Sequence, residues 1–398
     1  MSRLYDIVIA GGAMAGATLA MALNQGSNQS LKIAVIEPYQ PDHQSHPGFD
    51  ARSIALSYGT VAILKHFQLW SLIEDHATPI THIHISDRGH AGMTDFYADK
   101  EGLEAMGYVV ELAEVGRRFS QHLSQQHQIE LFCPYSVNHI ERGIDSAVVT
   151  LSSNDGEASV QLETKLVVAA DGAESLSCQS VGLTQQSVDF NQTAIIANVV
   201  TAEPHRGRAF ERFTANGPLA LLPMSQGRSS LVWCMPPLEA QRVLSLPQAE
   251  FLSELQQAFG WRLGQFSKVG SIASYPLLLR HRERISSHRF AAVGNAAQTL
   301  HPIAGQGFNL GIRDIATLVD SLLLNKKDVG DYANLIRFQT QREQDRSTTI
   351  AMTSALVQIF SNDLFAFRVG RNMGLGVLDT FPLLKSPLFN RALGVVNR

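Results

Sequence analysis

Cysteine is scarce in this chain, with only Cys133, Cys178 and Cys234 among 398 residues. They lie far apart and are odd in number, so neither a complete disulfide framework nor a zinc-ligand spacing is available, and no metal site is expected. A reducing, cytoplasmic setting fits this usage best. Charge of one sign is also lacking. The 32 Lys and Arg against 36 Asp and Glu leave a formal charge of −4, and the cations are spread along the chain. Nucleic-acid binding therefore has little electrostatic support. No stretch approaches the roughly 18 consecutive apolar residues of a membrane helix, because Asn, Asp, Arg or Gly interrupts the C-terminal hydrophobic runs. An apolar strand-like run begins already at Tyr5, which leaves no charged and apolar leader of a secretory signal, and export is not expected. What is present, 45% hydrophobic and 17% charged residues, is enough for a large core in roughly two or three lobes.

The run Tyr5 to Ala10 reads as a buried strand and ends in Gly11-Gly12-Ala13-Met14-Ala15-Gly16, which opens an Ala/Leu-rich helix. Strand, glycine turn and helix together form a dinucleotide cradle. Gly11 permits the tight turn, Gly16 lets the helix approach the strand, and the free amides of the helix start can bind a pyrophosphate. The middle glycine of the usual pattern is Ala13, whose methyl group is small enough to be tolerated. A second strand, Lys32 to Ile36, delivers Glu37 where an acidic residue can hold a ribose hydroxyl. These features do not separate FAD from NAD.

Two later segments do. Leu166 to Ala170 is another buried strand and ends in Asp171-Gly172-Ala173-Glu174-Ser175; a third, Phe290 to Val293, leads into Gly294-Asn295-Ala296-Ala297-Gln298-Thr299-Leu300-His301-Pro302-Ile303-Ala304-Gly305-Gln306-Gly307-Phe308-Asn309. Ile315, Val319, Leu322 and Leu323 then recur at helical spacing, so the Gly305-Gln306-Gly307 turn opens an amphipathic helix. Amides at such a start can stabilise the negative charge of a reduced flavin.

Three separated motifs in this order, spanning essentially the whole chain, resemble the class A flavoprotein monooxygenases typified by p-hydroxybenzoate hydroxylase. Within that family, four strings are similar to the 2-polyprenyl-6-methoxyphenol hydroxylases of ubiquinone biosynthesis: Phe49 to Leu56, Gly107 to Leu112, Arg208 to Phe213, and Gly294 to Pro302. Two positions depart from the family. Asn295 stands where most members have Asp, and an amide can still bond a ribitol hydroxyl. Cys178 stands where many members carry Arg, which leaves the handling of pyridine nucleotide open.

The resemblance implies an α/β fold: a Rossmann-like FAD-binding domain built from residues 1–80, 107–187 and 280–330, a mainly antiparallel β-sheet substrate domain from 81–106 and 188–279, and a C-terminal helical region over 331–398. It implies FAD as cofactor, NAD(P)H as reductant and O₂ as co-substrate. NAD(P)H would reduce FAD, and a flavin C4a-hydroperoxide would hydroxylate a polyprenylated methoxyphenol in ubiquinone biosynthesis. By the same carry-over, Gly11, Gly12, Ala13 and Gly16 cradle the pyrophosphate and Glu37 takes the adenosine ribose. Arg52 lies near the flavin, and Asp171 and Asn295 hold the pyrophosphate–ribitol region. Pro302 and Gly305, Gln306, Gly307, Phe308 and Asn309 border the isoalloxazine ring. His301 has a suitable unperturbed pKa for a phenol-deprotonating base, but a residue that only shapes the Pro302 turn is the plainer reading; a base role needs reach to the proton, which holds equally for His281 and His288. Phe213, Leu219, Leu221, Leu222 and Trp233 are candidates for an apolar pocket. The C-terminal apolar residues, among them Phe360, Leu364, Phe365, Phe367 and Leu375, leave open a biosynthetic complex or peripheral contact with the inner face of a membrane. A flavin oxidase or reductase acting on another aromatic compound, and a non-catalytic flavin-binding scaffold subunit, remain as alternatives.

Overall fold

The computed structural model describes residues 3–39, 52–89, 92–153, 159–360 and 390–395. Its first sheet is parallel at its centre. The strands Phe290–Ala292, Ser159–Ala169, Arg3–Ala10, Ile33–Ile36 and Ile129–Phe132 lie side by side in that order. Ile7, Val8 and Ile9 are fully buried, as continuous apolar strands must be when both faces of a parallel sheet are covered. Helix Met14–Gly26 covers one face with small and aliphatic side chains, almost all of them buried. Helix Leu112–Leu123 is amphipathic and buries Leu112, Val115, Phe119 and Leu123 at helical spacing. The antiparallel strands Tyr135–Arg142 and Ala147–Ser153 extend this sheet from Ser159–Ala169.

A second sheet of nine strands is antiparallel except where Arg208–Thr214 runs parallel to His82–Asp87. Strands Gln186–Thr201, Gly217–Pro223, Arg228–Met235 and Ala273–His281 form its body. The alternating runs Thr193 to Val200 and Ser229 to Met235 are strands in it, as expected. Pro218 and Pro223 fall near the ends of a strand with a neighbour on either side, so they punctuate strand ends and do not mark an edge. Helices Pro237–Leu244 and Gln248–Phe259 cover one face, and the sequence reading had no element there. A small third sheet joins Ser53–Ser57, Gly107–Glu111 and Thr78–Ile80.

Helix Gln306–Leu323 packs against the long helix Tyr332–Phe360 through buried charge. Arg342 pairs with Asp314 and Asp345, both at 2.8 Å, and Arg313 reaches Asp345 at 2.8 Å. Burial alone would push the Asp345 carboxyl up, but the two guanidinium groups outweigh it and hold it below the usual range. Leu364, Phe365, Phe367 and Leu375 lie outside the described residues, as does the side chain of Phe360. No helix among the described residues is long and apolar enough to cross a membrane.

Removing one member of this network strands a charge in the interior, which typically costs about 3–5 kcal/mol. Arg342→Met is therefore expected to lower the unfolding free energy by about that amount in urea titration. A loss below about 1 kcal/mol would mean that the network contributes little.

Candidate FAD and substrate site

Backbone register brings the three motifs together. Ala10 lies opposite both Ile36 and Ala169, and Ala169 lies opposite Ala292, so the four strands end at one level. The next residues are Glu37, Gly11, Ala170 with Asp171, and Val293 with Gly294. At Gly11, with φ +98°, a side chain would strike the Ala170 carbonyl at 2.5 Å. At Gly16 a Cβ would sit 1.8 Å from the Gly11 oxygen, so only glycine lets the helix close on the turn. A Cβ at Gly294 would lie 3.1 Å from that of Ala15, and one at Gly311 would lie 3.0 Å from the Gly294 Cα. The Asn295 turn is thus wedged between two helix starts.

Ala13 takes φ −69° and ψ −167° as the N-cap of Met14–Gly26. That extended conformation suits any residue, so the departure from glycine costs no backbone strain. No side chain caps this helix, and its first amides remain for a ligand. Glu37 is buried; its Oε2 accepts from the Gly12 amide at 2.7 Å and its Oε1 from Tyr39 at 3.0 Å. Besides any ribose contact, this carboxylate braces the glycine turn. Asp171 accepts from the Ser177 amide through Oδ2, whereas its Oδ1 is buried without a protein partner. A buried acceptor in that state calls for a donor from a bound molecule. Asn295 is exposed at the tip of its turn.

The helix Gln306–Leu323 starts at Gly305, which has φ +60° and no capping side chain. Asn309 belongs to the scaffold of this start: its Oδ1 accepts from the Ser57 amide at 2.9 Å, and its Nδ2 donates to the Ala55 and Gly305 carbonyls. Gln306 is buried and donates to the Ala392 carbonyl at 3.3 Å. Gly307 and Phe308 are half-buried, and Phe308 packs on the main core. Pro302 precedes the short turn Ile303–Gly305. Arg52 places its guanidinium over the Tyr275 ring, 5.1 Å from the centroid. It bridges the small sheet and the second sheet, while Phe49, Asp50 and Ala51 of its string lie outside the described residues.

His301 is buried with both ring nitrogens engaged. Nδ1 accepts from the Ile303 amide and Nε2 faces the Gln192 Oε1, each at 3.1 Å, so Nε2 carries the proton. Burial lowers its pKa to about 4. A neutral ring with both nitrogens committed offers no vacant basic nitrogen to a phenol. His281 is also lowered by burial, and His288 donates from Nε2 to the Gly143 carbonyl at the surface.

Strand alternation corrects part of the expected pocket. Leu219, Leu221 and Trp233 point to the helix-covered face of the second sheet and pack with Phe251, Leu255 and Phe259. Phe213 and Leu222 point the other way; Phe213 clusters with Ile303, and Leu222 packs on the same small cluster as Ala55. Beside Cys178, the position of the missing family Arg, lies the guanidinium of Arg282. It donates to the carbonyls of Ala296 and Leu183, while burial pushes the Cys178 thiol up to about 11. The sequence reading also passed over a set of metal-capable donors, His82, His84 and Asp95, gathered on the helix-covered side of the second sheet.

A family model described as "FAD binding domain" matches residues 4–352. The chain belongs to this FAD binding domain family. It is 34% identical to the "Ubiquinone hydroxylase UbiL" of Rhodospirillum rubrum over 397 residues, covering 99% of this chain and 90% of that one. It is 30% identical to the "3-demethoxyubiquinol 3-hydroxylase" of Escherichia coli, covering 98% of each. Among solved structures, p-nitrophenol 4-monooxygenase PnpA of Pseudomonas putida shares the fold at a TM-score of 0.80 and 18% identity over 99% of both chains. Klebsiella pneumoniae HpxO complexed with FAD and uric acid does so at 0.75 and 17%, over 98% and 96%. As an FAD binding domain family member the chain is a flavoprotein, and its strand-end turns, uncapped helix starts and unpartnered Asp171 oxygen suit that cofactor.

Two outcomes test this geometry. Gly16→Ala forces the helix off the turn, and purified protein should lose at least about nine-tenths of its flavin absorbance; a fully yellow variant would show that the close approach is dispensable. For His301, the folded pKa lies below the unfolded value near 6.5, so the unfolded chain takes up the proton first. Stability should be complete above about pH 6.5 and fall by up to roughly 3 kcal/mol as pH drops toward 4. His301→Asn, which keeps an acceptor for the Ile303 amide, should flatten this part of the pH dependence of urea unfolding.

Proposed function

We propose that this flavoprotein is a monooxygenase that hydroxylates the ring of a polyprenylated methoxyphenol in ubiquinone biosynthesis, with NAD(P)H as reductant and O₂ as oxygen source. The observation that carries the reading is full-length similarity to two hydroxylases whose names specify ubiquinone or ubiquinol chemistry, joined to a flavin turn that faces an apolar sheet. The chemistry supplied by bound FAD is hydride acceptance from NAD(P)H and activation of O₂ for transfer of one oxygen atom.

The chain's own residues bind, orient and exclude water. The amides of the Gly11 to Gly16 turn take the pyrophosphate, and Glu37 holds the adenosine ribose while bracing Gly12. Asp171 and Asn295 take hydroxyls or phosphate-adjacent groups between the two halves of the cofactor. The Gly305 helix start would offer its uncapped amides, at the positive end of an 18-residue helix, to a bound isoalloxazine ring, and Asn309 keeps that start fixed against Ala55 and Ser57. Ile303, Phe213 and Val357 form an apolar wall beside the turn, which suits a ring substrate and keeps water away from the reacting oxygen. A polyprenyl tail needs an apolar path from the bilayer, so we also infer peripheral contact with the inner face of the membrane or with a biosynthetic complex.

Holoprotein incubated with NAD(P)H, ¹⁸O₂ and a short-tailed 2-prenyl-6-methoxyphenol should yield a product with one labelled ring hydroxyl. Consumption of NAD(P)H should rise on addition of the phenol. Release of H₂O₂ without label in the ring would make the protein an oxidase, and unchanged NAD(P)H consumption would make it a scaffold.

A further inference from the structure

Glu211 stands among apolar residues on the face of the second sheet that the helices leave uncovered. Cross-strand register puts Ile85, Glu211, Ala220, Val232 and Ile196 in one row. All five keep accessible surface, although the residues between them on the other face are buried beneath helices. On its own strand Glu211 lies between Ala209 and Phe213. Ala209 packs in the cluster that includes Ala55, and Phe213 packs against Ile303, so the strand spans the two sides of the Gly305 turn. Glu211 has no side-chain hydrogen bond or ion pair among the described residues. Burial alone lifts its carboxyl to about 7.

We propose that Glu211 is the catalytic base for the phenol, a role that rests on the hydroxylase reading above. Its carboxylate accepts the phenolic proton: the substrate O–H bond breaks, an O–H bond forms on Glu211, and the electron pair stays on the phenolate oxygen, which activates the ring carbon para to it. No oxidant or reductant takes part in this step. An ordinary carboxylate lies roughly six pK units below a phenol, and the raised value of Glu211 about halves that gap. The other titratable groups on this face are Cys234, whose thiol is pushed up first by burial and then by Glu211, Asp87 at the far end of the Ile85 strand, the Arg228–Glu111 pair, and Tyr275 beneath Arg52. His301 approaches from the turn side through Phe190. None contributes to the shift of Glu211, which burial alone causes.

Two readouts on FAD-loaded protein test the role. In turnover with short-tailed 2-prenyl-6-methoxyphenol, Glu211→Gln should lower kcat by roughly 10²–10⁴-fold and remove a limb that rises through about pH 7, with Glu211→Asp recovering part of the rate. In binding, followed by flavin fluorescence without turnover, wild-type protein should prefer the phenol to its O-methyl ether by roughly tenfold at about pH 8.5. That preference should shrink at about pH 5.5, and in Glu211→Gln it should not vary with pH. Should the Gln variant fail to hold FAD, the pH dependence of the wild-type preference decides by itself. A Gln variant with near wild-type kcat, or a wild-type preference that ignores pH, overturns the assignment. Wild-type protein that hydroxylates no phenol overturns the hydroxylase reading instead, while the binding preference still reports on Glu211.

Discussion

Parallel strand register is the constraint on which the site depends. Ile36, Ala10, Ala169 and Ala292 stand opposite one another in the first sheet, and each strand hands over to a turn at the same edge. Hydrogen bonding between strands therefore does what no single motif does: it places Glu37, the Gly11 turn, Asp171 and the Asn295 turn around one space. Slipping one strand by one residue would invert its side chains between the two faces and withdraw its turn from the edge. The fully buried Ile7, Val8 and Ile9 make such a slip costly, because each is packed against its own face and would have to repack against the other.

The second sheet works through its two faces. One carries Phe210, Leu219, Leu221, Leu231 and Trp233 into a core closed by two helices. The other carries Phe213, Leu222 and Glu211 on the side of the Gly305 turn, so the period of two along each strand separates the helix-covered core from the opposite face. Asn309 clamps the turn from below, and the Arg342, Arg313, Asp314 and Asp345 network anchors the helix behind it to Tyr332–Phe360. A hydrogen-bonded clamp and a buried charge network hold geometry more narrowly than apolar contact alone. Such precision suits a site that must align a ring with a reactive oxygen.

Much of this is legible in the sequence. Strand, glycine turn and acidic residue each leave a local signature, because tight turns and helix starts impose rules on the residues that form them. The alternating runs of the second sheet were legible for the same reason. Helices Pro237–Leu244 and Gln248–Phe259 are not legible in this way, and Leu219, Leu221 and Trp233, three of the candidates for an apolar pocket, pack beneath those helices as core. Alternation shows that a strand has two faces without showing which one a ligand sees. His301 illustrates a different limit: a histidine beside Pro302 invites a role in proton transfer, yet its two nitrogens are engaged by Ile303 and Gln192, the second 109 residues away in the chain.

Sequence by itself determined the dinucleotide cradle, the order of the three motifs and the family they resemble, since all of these rest on residues close together along the chain. Tertiary structure decided which side chains share a space. It set Arg282 beside Cys178, Arg52 over Tyr275, and Glu211 on the sheet face whose Phe213 clusters with Ile303. The physical reason is desolvation. Burial lowers His301 and raises Glu211, reversing the basicity expected from their unperturbed values, and burial is a property of the surroundings that only the folded chain assembles.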